Sequence, residues 1–565
     1  MSVMKSRRAI AVGVALTTVA ALSLTACSSS TSTTTDVAAS QNDIAATPRD
    51  QVAEGGTLRW PIDQSIPNFN YNELDGTLKA TVDITNGMLP TTFDFNAAGE
   101  PAVSTDYFTS IELTSKSPQV VTYTINPKAK WNDGKDITAN DLIATWKALN
   151  GTNTAFNVSS TTGYENIKSV AAGTDDRQAV VTFKTTYADW QALFAPLYPA
   201  AVNATPDSFN TSLTKGTLPV SAGPFKLEGY NKTQQAYTAV PDSNWWGDKA
   251  KLDKVIYRVI DPDAQVQALA NKEIDFIDVG PDAAKLKTAE GAAGVSIRRA
   301  AGPNFRHIDF NGAGPILKDL AVRTAVAKGI DRQQIADALL KPLGGTPKTL
   351  GNHIFMSNQV GYVDNSGVVA FNADQAKSEL DAAGWKLDGT FRKKDGKELT
   401  LNLLIPSGVA TATNESALIQ QQLKAIGVNI KITSLGDDFF DNGVAPGKFD
   451  LTMFTWVGTP FPISSTQSIY APVKGNDVQQ NYGRISSPEI GKLYEQVVQE
   501  LDPVKARDLA NQIDVQIWTQ VHSLTTYQRP DLIAANENLV NYGALGFATV
   551  RYQDIGFKSG TTATS

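Results

Sequence analysis

The sequence predicts a mixed α/β protein that folds into more than one lobe. Strand and helix signals alternate between residues 55 and 557, and no short repeat suggests a solenoid or a propeller. These roughly 500 residues exceed what one hydrophobic core usually supports, so we expect two or more lobes.

The N-terminus has the three parts of a secretory signal. Lys5, Arg7 and Arg8 precede residues 9–26, which carry no charge, and small residues lead up to Cys27, the single cysteine in 565 residues. This arrangement resembles a bacterial lipobox, which implies cleavage before Cys27 and acylation of its thiol by a lipid with chains such as palmitate. The alternatives are a retained membrane-spanning helix and an ordinary buried cysteine. Threonines and a serine dilute the uncharged stretch, and the Ser/Thr tract after Cys27 offers no apolar surface, so both alternatives are disfavoured.

The two ends of the mature chain are predicted to lack structure. Residues 28–52 contain no aromatic residue and no periodic apolar positions, which predicts a disordered tether. Residues 559–565 are predicted to be a flexible tail. With the lipid anchor, the tether would hold the folded part at the outer face of the cytoplasmic membrane.

Runs of apolar and β-branched residues predict strands between these ends. The clearest runs are residues 120–125, 180–183, 254–260 and 399–404.

Capping signals predict where several helices begin. Asp141 lies three residues after Thr138, so the two side chains can form a capping box before a segment with apolar residues at helical spacing. Gly384 tolerates the left-handed conformation that ends a helix. Further N-terminal capping residues are Asp331, Asn372, Ser487 and Asp502.

Composition excludes several classes of function. Removal of the leader leaves 47 basic against 57 acidic residues, and this acidic balance argues against nucleic acid as the main partner. The mature chain would have no disulfide and no thiolate metal site, because a second cysteine is absent. His307, His353 and His522 are far apart in sequence, so we expect no catalytic residue, no metal centre and no cofactor. A nucleophile elbow is also missing, which disfavours an exported hydrolase.

An ordered set of motifs resembles one family of exported receptors. The most recognisable piece runs from Val121 to Leu142 and contains a strand, a Trp-Asn-Asp-Gly turn and a capped helix. The other pieces are residues 55–60, 221–225, 244–247, 252–255, 272–276, 320–332, 374–385 and 419–432. Together they resemble the family 5 extracellular solute-binding proteins, the peptide receptors of ABC importers.

This resemblance implies a two-lobed, type II periplasmic-binding-protein-like fold with an extra N-terminal subdomain and a ligand cleft between the lobes. The first lobe would comprise residues 53–300 and 525–558, with the subdomain inserted at about 91–210. The second lobe would comprise residues 301–524. Two hinge strands would let the lobes close on a solute, which a membrane permease then accepts.

Family positions also suggest which residues line the cleft. Peptide-binding members offer an aspartate to the ligand's ammonium shortly after a strand that resembles residues 449–456 here. Thr459 occupies that position, and no acid lies between Asp450 and Asp477. A buried ammonium needs a compensating anion, so familiar peptide recognition requires an acid from another strand. The remaining cleft candidates are Asn68, Asn70, Tyr71, Trp456, Phe461, Tyr482 and Arg484.

The leading hypothesis is therefore a monomeric, lipid-anchored solute-binding protein that delivers a peptide or another small organic solute to an ABC permease and its ATPase. The alternative is an envelope lipoprotein of the same fold. It would bind an amphiphilic ligand such as a mannosylated phosphatidylinositol glycolipid and take no part in import.

Overall fold

The computed structural model describes residues 42–560 apart from positions 346, 437 and 476. The predicted signal segment, the lipidation site Cys27, residues 28–41 of the predicted tether and the end of the tail therefore lie outside the described residues.

The chain is a mixture of strands and helices, as predicted. The strands are β1 (Thr57–Ile62), β2 (Phe93–Phe95), β3 (Pro101–Val103), β4 (Phe108–Lys116), β5 (Gln119–Ile125), β6 (Ile167–Ala172), β7 (Gln178–Phe183), β8 (Phe225–Asn231), β9 (Ala236–Pro241), β10 (Lys254–Val259), β11 (Phe276–Asp278), β12 (Val295–Phe310), β13 (Lys386–Asp388), β14 (Phe391–Lys394), β15 (Lys397–Glu398), β16 (Thr400–Pro406), β17 (Asn429–Leu435), β18 (Leu451–Val457), β19 (Ser523–Asn536), β20 (Leu539–Val540) and β21 (Gly556–Phe557). The helices are α1 (Lys79–Thr85), α2 (Ala139–Leu149), α3 (Pro206–Thr211), α4 (Gln265–Ala270), α5 (Ala283–Glu290), α6 (Leu320–Lys328), α7 (Arg332–Leu340), α8 (Ala373–Ala382), α9 (Ala410–Ala425), α10 (Pro462–Ser465), α11 (Gln467–Tyr470), α12 (Pro488–Val497) and α13 (Pro503–Gln520).

The predicted helix starts are confirmed by their hydrogen bonds. The Asp141 carboxylate accepts from the Thr138 amide at 2.9 Å, which closes the start of α2. At the start of α8 the Asn372 side chain accepts from the Gln375 amide at 2.9 Å. The side chains of Asp331, Ser487 and Asp502 cap α7, α12 and α13 in the same way.

Three sheets organise most of the chain. One has the strand order β1-β10-β9-β8, and a second, antiparallel sheet β4-β5-β7-β6 lies within the segment predicted to be an inserted subdomain. The third sheet has the order β11-β19-β12-β18-β16-β17.

The long strands β12 and β19 are neighbours in this third sheet and pair along most of their length. Their antiparallel pairing extends from Val295 opposite Asn536 to Ala301 opposite Pro530, and resumes at Phe305 opposite Gln528. Residues 302–304 lie in the break between these two paired stretches. We call β12 and β19 the crossing strands.

Two large apolar cores correspond in part to the predicted lobes. The first is formed mostly by residues before 258 and by the C-terminal segment, and the second mostly by residues after 305. Leu269 and Leu286, which the predicted boundary assigns to the first lobe, belong to the second core. The predicted boundary at residue 300 therefore does not coincide with the boundary between the cores, because β11 joins the continuous sheet through β19.

The prediction of a disordered tether is wrong for residues 42–52. Asp43 forms a bridge with Ala544, and Arg49 forms an ion pair with Asp554 at 2.6 Å. Val52 is 3% exposed. The segment has no periodic pattern of its own, and its order depends on partners from the far end of the chain, which no local pattern indicates.

Candidate ligand-binding cleft

A cleft of about 1110 Å³ lies where the crossing strands pass between the two lobes. Its walls come from the end of β1, from α1, from the starts of α5 and α9, and from residues 542–550 and 552. The break in the crossing strands lines it as well. Ligand pockets typically have volumes of about 300–1,000 Å³, so this cleft has room for a large organic solute.

The alternation of strand side chains decides which residues of β19 face the cleft. Tyr527, Arg529, Asp531 and Ile533 are spaced by two and all line it. Successive side chains of a strand point to opposite faces, so this set shares one face of β19.

A buried ion pair supports the second-lobe side of the cleft. The Arg306 side chain on β12 donates to both carboxylate oxygens of Glu415 on α9, and the Tyr527 hydroxyl donates to Glu415 Oε1 at 2.8 Å. Arg306 and Glu415 are 6% and 3% exposed. Together with Tyr527, the pair links β12, β19 and α9. The charge of each partner is compensated by the other.

Acidic side chains face the cleft from β11 and from β19. Asp531 Oδ2 accepts from the amides of Leu545 at 2.8 Å and Gly546 at 3.1 Å. Burial raises the pKa of Asp531 to about 7, and the charge of Asp278 raises it further, while the two amide hydrogen bonds oppose this shift. Asp278 lines the same cleft and accepts from the Gly280 amide at 2.8 Å.

Two polar groups of the cleft lack partners within the described part of the chain. Asn304 Oδ1 is buried without a hydrogen bond. The Arg529 guanidinium has no hydrogen bond and no carboxylate oxygen within 4.0 Å among the described residues. Burial lowers the pKa of Arg529, and the charge of Asp278 opposes this shift.

Asn68 and Asn70, predicted as ligand-binding residues, are not among the residues that line this cleft. The Asn68 amide donates to Glu73 Oε2 at 3.0 Å, and the Asn70 amide donates to the Phe209 carbonyl at 2.9 Å. Both asparagines are 1% exposed or less. These hydrogen bonds stabilise the loop that contains both asparagines, because buried amide groups need hydrogen-bond partners within the protein.

Tyr71 also lies away from the cleft. Its backbone amide donates to the Tyr198 hydroxyl at 2.8 Å, and burial raises the pKa of its phenol. This hydrogen bond and the burial of the ring hold Tyr71 in the same loop as Asn68 and Asn70.

The side chains of Trp456 and Tyr482 lie close together, but their rings pack against each other. Their rings stack at 6.1 Å with an interplanar angle of 5°, and Trp456 also stacks on His307 at 5.7 Å. Neither aromatic ring is among the residues that line the cleft.

Arg484, predicted as a ligand-binding residue, lies outside the cleft and bonds to backbone carbonyls. Its guanidinium donates to the carbonyls of Tyr482 at 2.5 Å and Ala445 at 2.7 Å. It lines a separate surface depression of about 350 Å³ beside Asp450.

Thr459 and Phe461 lie in a loop that meets the first lobe. The Thr459 hydroxyl accepts from the Phe461 amide at 3.2 Å, and the Phe461 ring meets the edge of Phe95 at 5.6 Å. The loop is not among the residues lining the cleft. The charged groups that line the cleft therefore come from other parts of the chain than the loop that contains Thr459.

The sequence reasoning missed the residues of the cleft that carry charge. One local signal existed, since Arg529, Pro530 and Asp531 lie side by side in a strand whose other residues are all uncharged. Proline and charged side chains are rare within a central strand and can mark a bend next to a site. The partners Asp278 and Glu415 are distant in sequence, so only the fold reveals them.

In the part of the chain that the structure describes, no group of three or more His, Cys, Asp or Glu side chains is arranged to hold a metal ion. Within the same part of the chain, none of the helices combines the length and hydrophobicity that crossing a bilayer requires.

Comparison with known proteins identifies the family. Residues 102–477 match the model of the bacterial extracellular solute-binding proteins, family 5, middle region. The oligopeptide-binding protein OppA of Mycobacterium tuberculosis is 44% identical over 510 residues, which cover 89% of this chain and 85% of that protein. The protein LpqW of Mycobacterium tuberculosis, named for binding monoacyl phosphatidylinositol tetramannoside, is 25% identical over 412 residues, which cover 66% of this chain and 64% of that protein.

A solved structure agrees with this result. The periplasmic EDTA-binding protein EppA superposes with a TM-score of 0.83 at 25% identity, covering 92% of this chain and 98% of that one. The chain therefore belongs to the family 5 bacterial extracellular solute-binding proteins, which have the two-lobed type II fold and bind solutes without being enzymes.

Proposed function

We propose that this protein is the lipid-anchored receptor of an ABC importer and that it captures oligopeptides in the cleft along the crossing strands. The observation that carries the proposal is the cleft itself, which is large, lies between the lobes and is lined by charged groups of both signs. The 44% identity to a protein named for oligopeptide binding, over 89% of the chain, supports the choice of ligand.

Thr459 does not exclude a peptide ligand, because the cleft contains other acids. Asp278 and Asp531 face the same space and can offset the ammonium of a peptide. The Asp531 side chain keeps Oδ1 available, since both of its backbone hydrogen bonds go to Oδ2. The counter-charge would thus come from β11 and β19, and closure of the two lobes would enclose the ligand.

Delivery to a permease would follow from closure of the lobes. A peptide that contacts both lobes binds the closed form more tightly than the open form, and this difference in affinity shifts the population toward the closed form. The closed form is then what the permease would accept.

Native mass spectrometry on residues 28–565, produced without the anchor, tests the choice of ligand. The protein would be incubated with a mixture of short peptides and, separately, with a lipid extract of an actinobacterial envelope. We expect retained adducts of peptide mass. An adduct of glycolipid mass with no peptide bound would contradict the proposal and favour the envelope alternative, to which the 25% identity with LpqW points.

The anchor needs its own test, because Cys27 lies outside the described residues. Metabolic labelling with a palmitate analogue should mark the full chain at the membrane. The Cys27→Ala variant should lose the label and appear in the medium. Label that persists in this variant would contradict lipidation at Cys27.

A further inference from the structure

The charged side chains that line the cleft differ in how well the protein itself satisfies them. Lys79 pairs with Asp83 at 2.6 Å, and Arg306 pairs with Glu415. Lys285 lies 3.9 Å from Asp263. Arg529 is the cation lining the cleft for which the described residues supply neither a hydrogen bond nor an ion pair.

The surroundings of Arg529 make this lack of a partner costly. The residue is half-buried on β19, and burial lowers the pKa of its guanidinium. A guanidinium has five N–H donors, and taking them out of water without acceptors is unfavourable. The fold nevertheless keeps space around the group. Gly280 lies beside it, and a Cβ on Gly280 would come within 3.3 Å of Arg529 Nη2.

Arg529 lies beside the break in the crossing strands. It follows Gln528, where the pairing of β19 with β12 has resumed, and precedes Pro530 at the edge of the break. Its side chain shares one face of the strand with Asp531, two residues away. Residues two apart on a strand are separated by about 7 Å, so the ammonium and the carboxylate of a very short peptide fit side by side here, and those of a longer peptide do so when its chain turns back.

We infer that Arg529 is a specificity-determining residue that binds a carboxylate of the ligand, namely the C-terminal carboxylate of a peptide. This inference rests on the proposed function. An arginine fork matches the two oxygens of a carboxylate and forms short, charge-assisted hydrogen bonds with it. The nearby acids Asp278 and Asp531 favour a singly charged carboxylate over a doubly charged phosphate, because they repel additional negative charge.

The test uses residues 28–565 and compares peptides that differ only at the C-terminus. Short peptides without Asp or Glu are synthesised as free acids and as C-terminal amides, mixed in equal amounts and competed for the protein in native mass spectrometry. We expect the wild-type protein to retain the acids about tenfold or more over the amides. Arg529→Gln should retain both alike, and Arg529→Lys should keep part of the preference.

Two controls separate recognition from structure. Lys135→Gln removes an exposed cation that pairs with Asp133 outside the cleft and should leave the preference unchanged. The thermal midpoint of Arg529→Gln should stay close to that of the wild type, because the described residues supply the Arg529 side chain with no hydrogen bond and no ion pair within 4.0 Å. A purely structural role would weaken the binding of acids and amides equally.

Each remaining outcome is decisive. Equal retention of acids and amides by the wild type, or an unchanged preference in Arg529→Gln, overturns the assignment of Arg529 and leaves peptide binding intact. A wild-type preference for amides that contain one Asp or Glu over amides without one overturns the assignment to the C-terminal carboxylate and points to an acidic side chain. Retention of no peptide at all refutes the proposed function and this inference with it.

Discussion

Asp531 shows how the cleft alters the chemistry of a single residue. Burial raises the pKa of its carboxyl to about 7, although two backbone amides hydrogen-bond to Oδ2. An aspartate in an unfolded chain has a pKa of about 3.9, so between roughly pH 4 and pH 7 the folded state binds more protons at this site than the unfolded state does. Its contribution to stability is present below this window and is lost as the pH rises through it.

We therefore expect Asp531→Asn to be more stable than the wild type at pH 8 and about equally stable near pH 4. The amide oxygen of asparagine can still accept from Leu545 and Gly546, while the buried charge is removed. The gain at pH 8 should be about 1–3 kcal/mol in the free energy of unfolding, measured by denaturant titration. The exposed Asp395→Asn serves as a control and should show no such pH dependence. A loss of stability in Asp531→Asn at pH 8 would contradict the raised pKa.

Glu415 offers a second test at the residue scale. It compensates the charge of the 6%-exposed Arg306 and accepts from the Tyr527 hydroxyl. Glu415→Gln keeps the shape but leaves Arg306 without an anion, so we expect a loss of about 3–5 kcal/mol in the free energy of unfolding. Asp337→Asn removes an exposed partner of Lys341 and should change stability little. Replacement of both buried partners, Arg306→Met with Glu415→Leu, should recover much of the loss; no recovery would mean that the ion pair is not the cause.

At the scale of elements, local signals predicted the fold well, whereas the cleft depends on long-range contacts. The starts of α2, α7, α8, α12 and α13 follow from capping side chains near in sequence, so they could be read directly. Cleft residues were assigned by family position, and Asn68 and Asn70 proved to be buried in their own loop. A sequence shows that an amide can bind a ligand, but it does not show that Phe209 already accepts from Asn70.

The break in the crossing strands gives a prediction for an element. A Cβ on Gly302 would lie 2.5 Å from the Arg529 carbonyl oxygen and 3.1 Å from the Asp531 amide nitrogen. These are backbone atoms of the paired strand, so β12 and β19 would have to move apart. We expect Gly302→Ala to lower the free energy of unfolding by about 1–3 kcal/mol and to weaken peptide binding.

Gly229→Ala is the matched control for this change. Gly229 also lies in a strand, β8, and a Cβ there would meet no atom within 4 Å. We expect unchanged or slightly higher stability and unchanged binding, both measured on the same instrument as for Gly302→Ala. Equal effects of the two variants would show that close approach of the crossing strands does not matter.

At the scale of the whole molecule, the structure shows the two lobes in contact away from the crossing strands. The Phe461 ring meets Phe95 at 5.6 Å, and the Ser464 amide donates to Asp189 Oδ2 at 3.2 Å. The Ala188 amide donates to the Val498 carbonyl at 2.8 Å. These contacts join residues before 190 to residues after 460, so they exist only when the lobes are close together.

Such contacts stabilise the closed form even without a ligand, and their removal should favour an open form. We expect the double variant Asp189→Ala with Phe461→Ala to have a larger radius of gyration in small-angle scattering than the wild type when no peptide is present. Saturating peptide should bring both proteins to the same radius, because contacts of the ligand with both lobes replace the contacts that the substitutions removed.

The double variant should also bind peptide more weakly than the wild type, since part of the binding free energy must now close the lobes. Phe440→Ala is the matched control: its ring packs against the rings of Phe439, Phe454 and Tyr482, all in the second lobe, so the radius should not change. Identical scattering of all three proteins, with and without peptide, would mean that these contacts do not control closure.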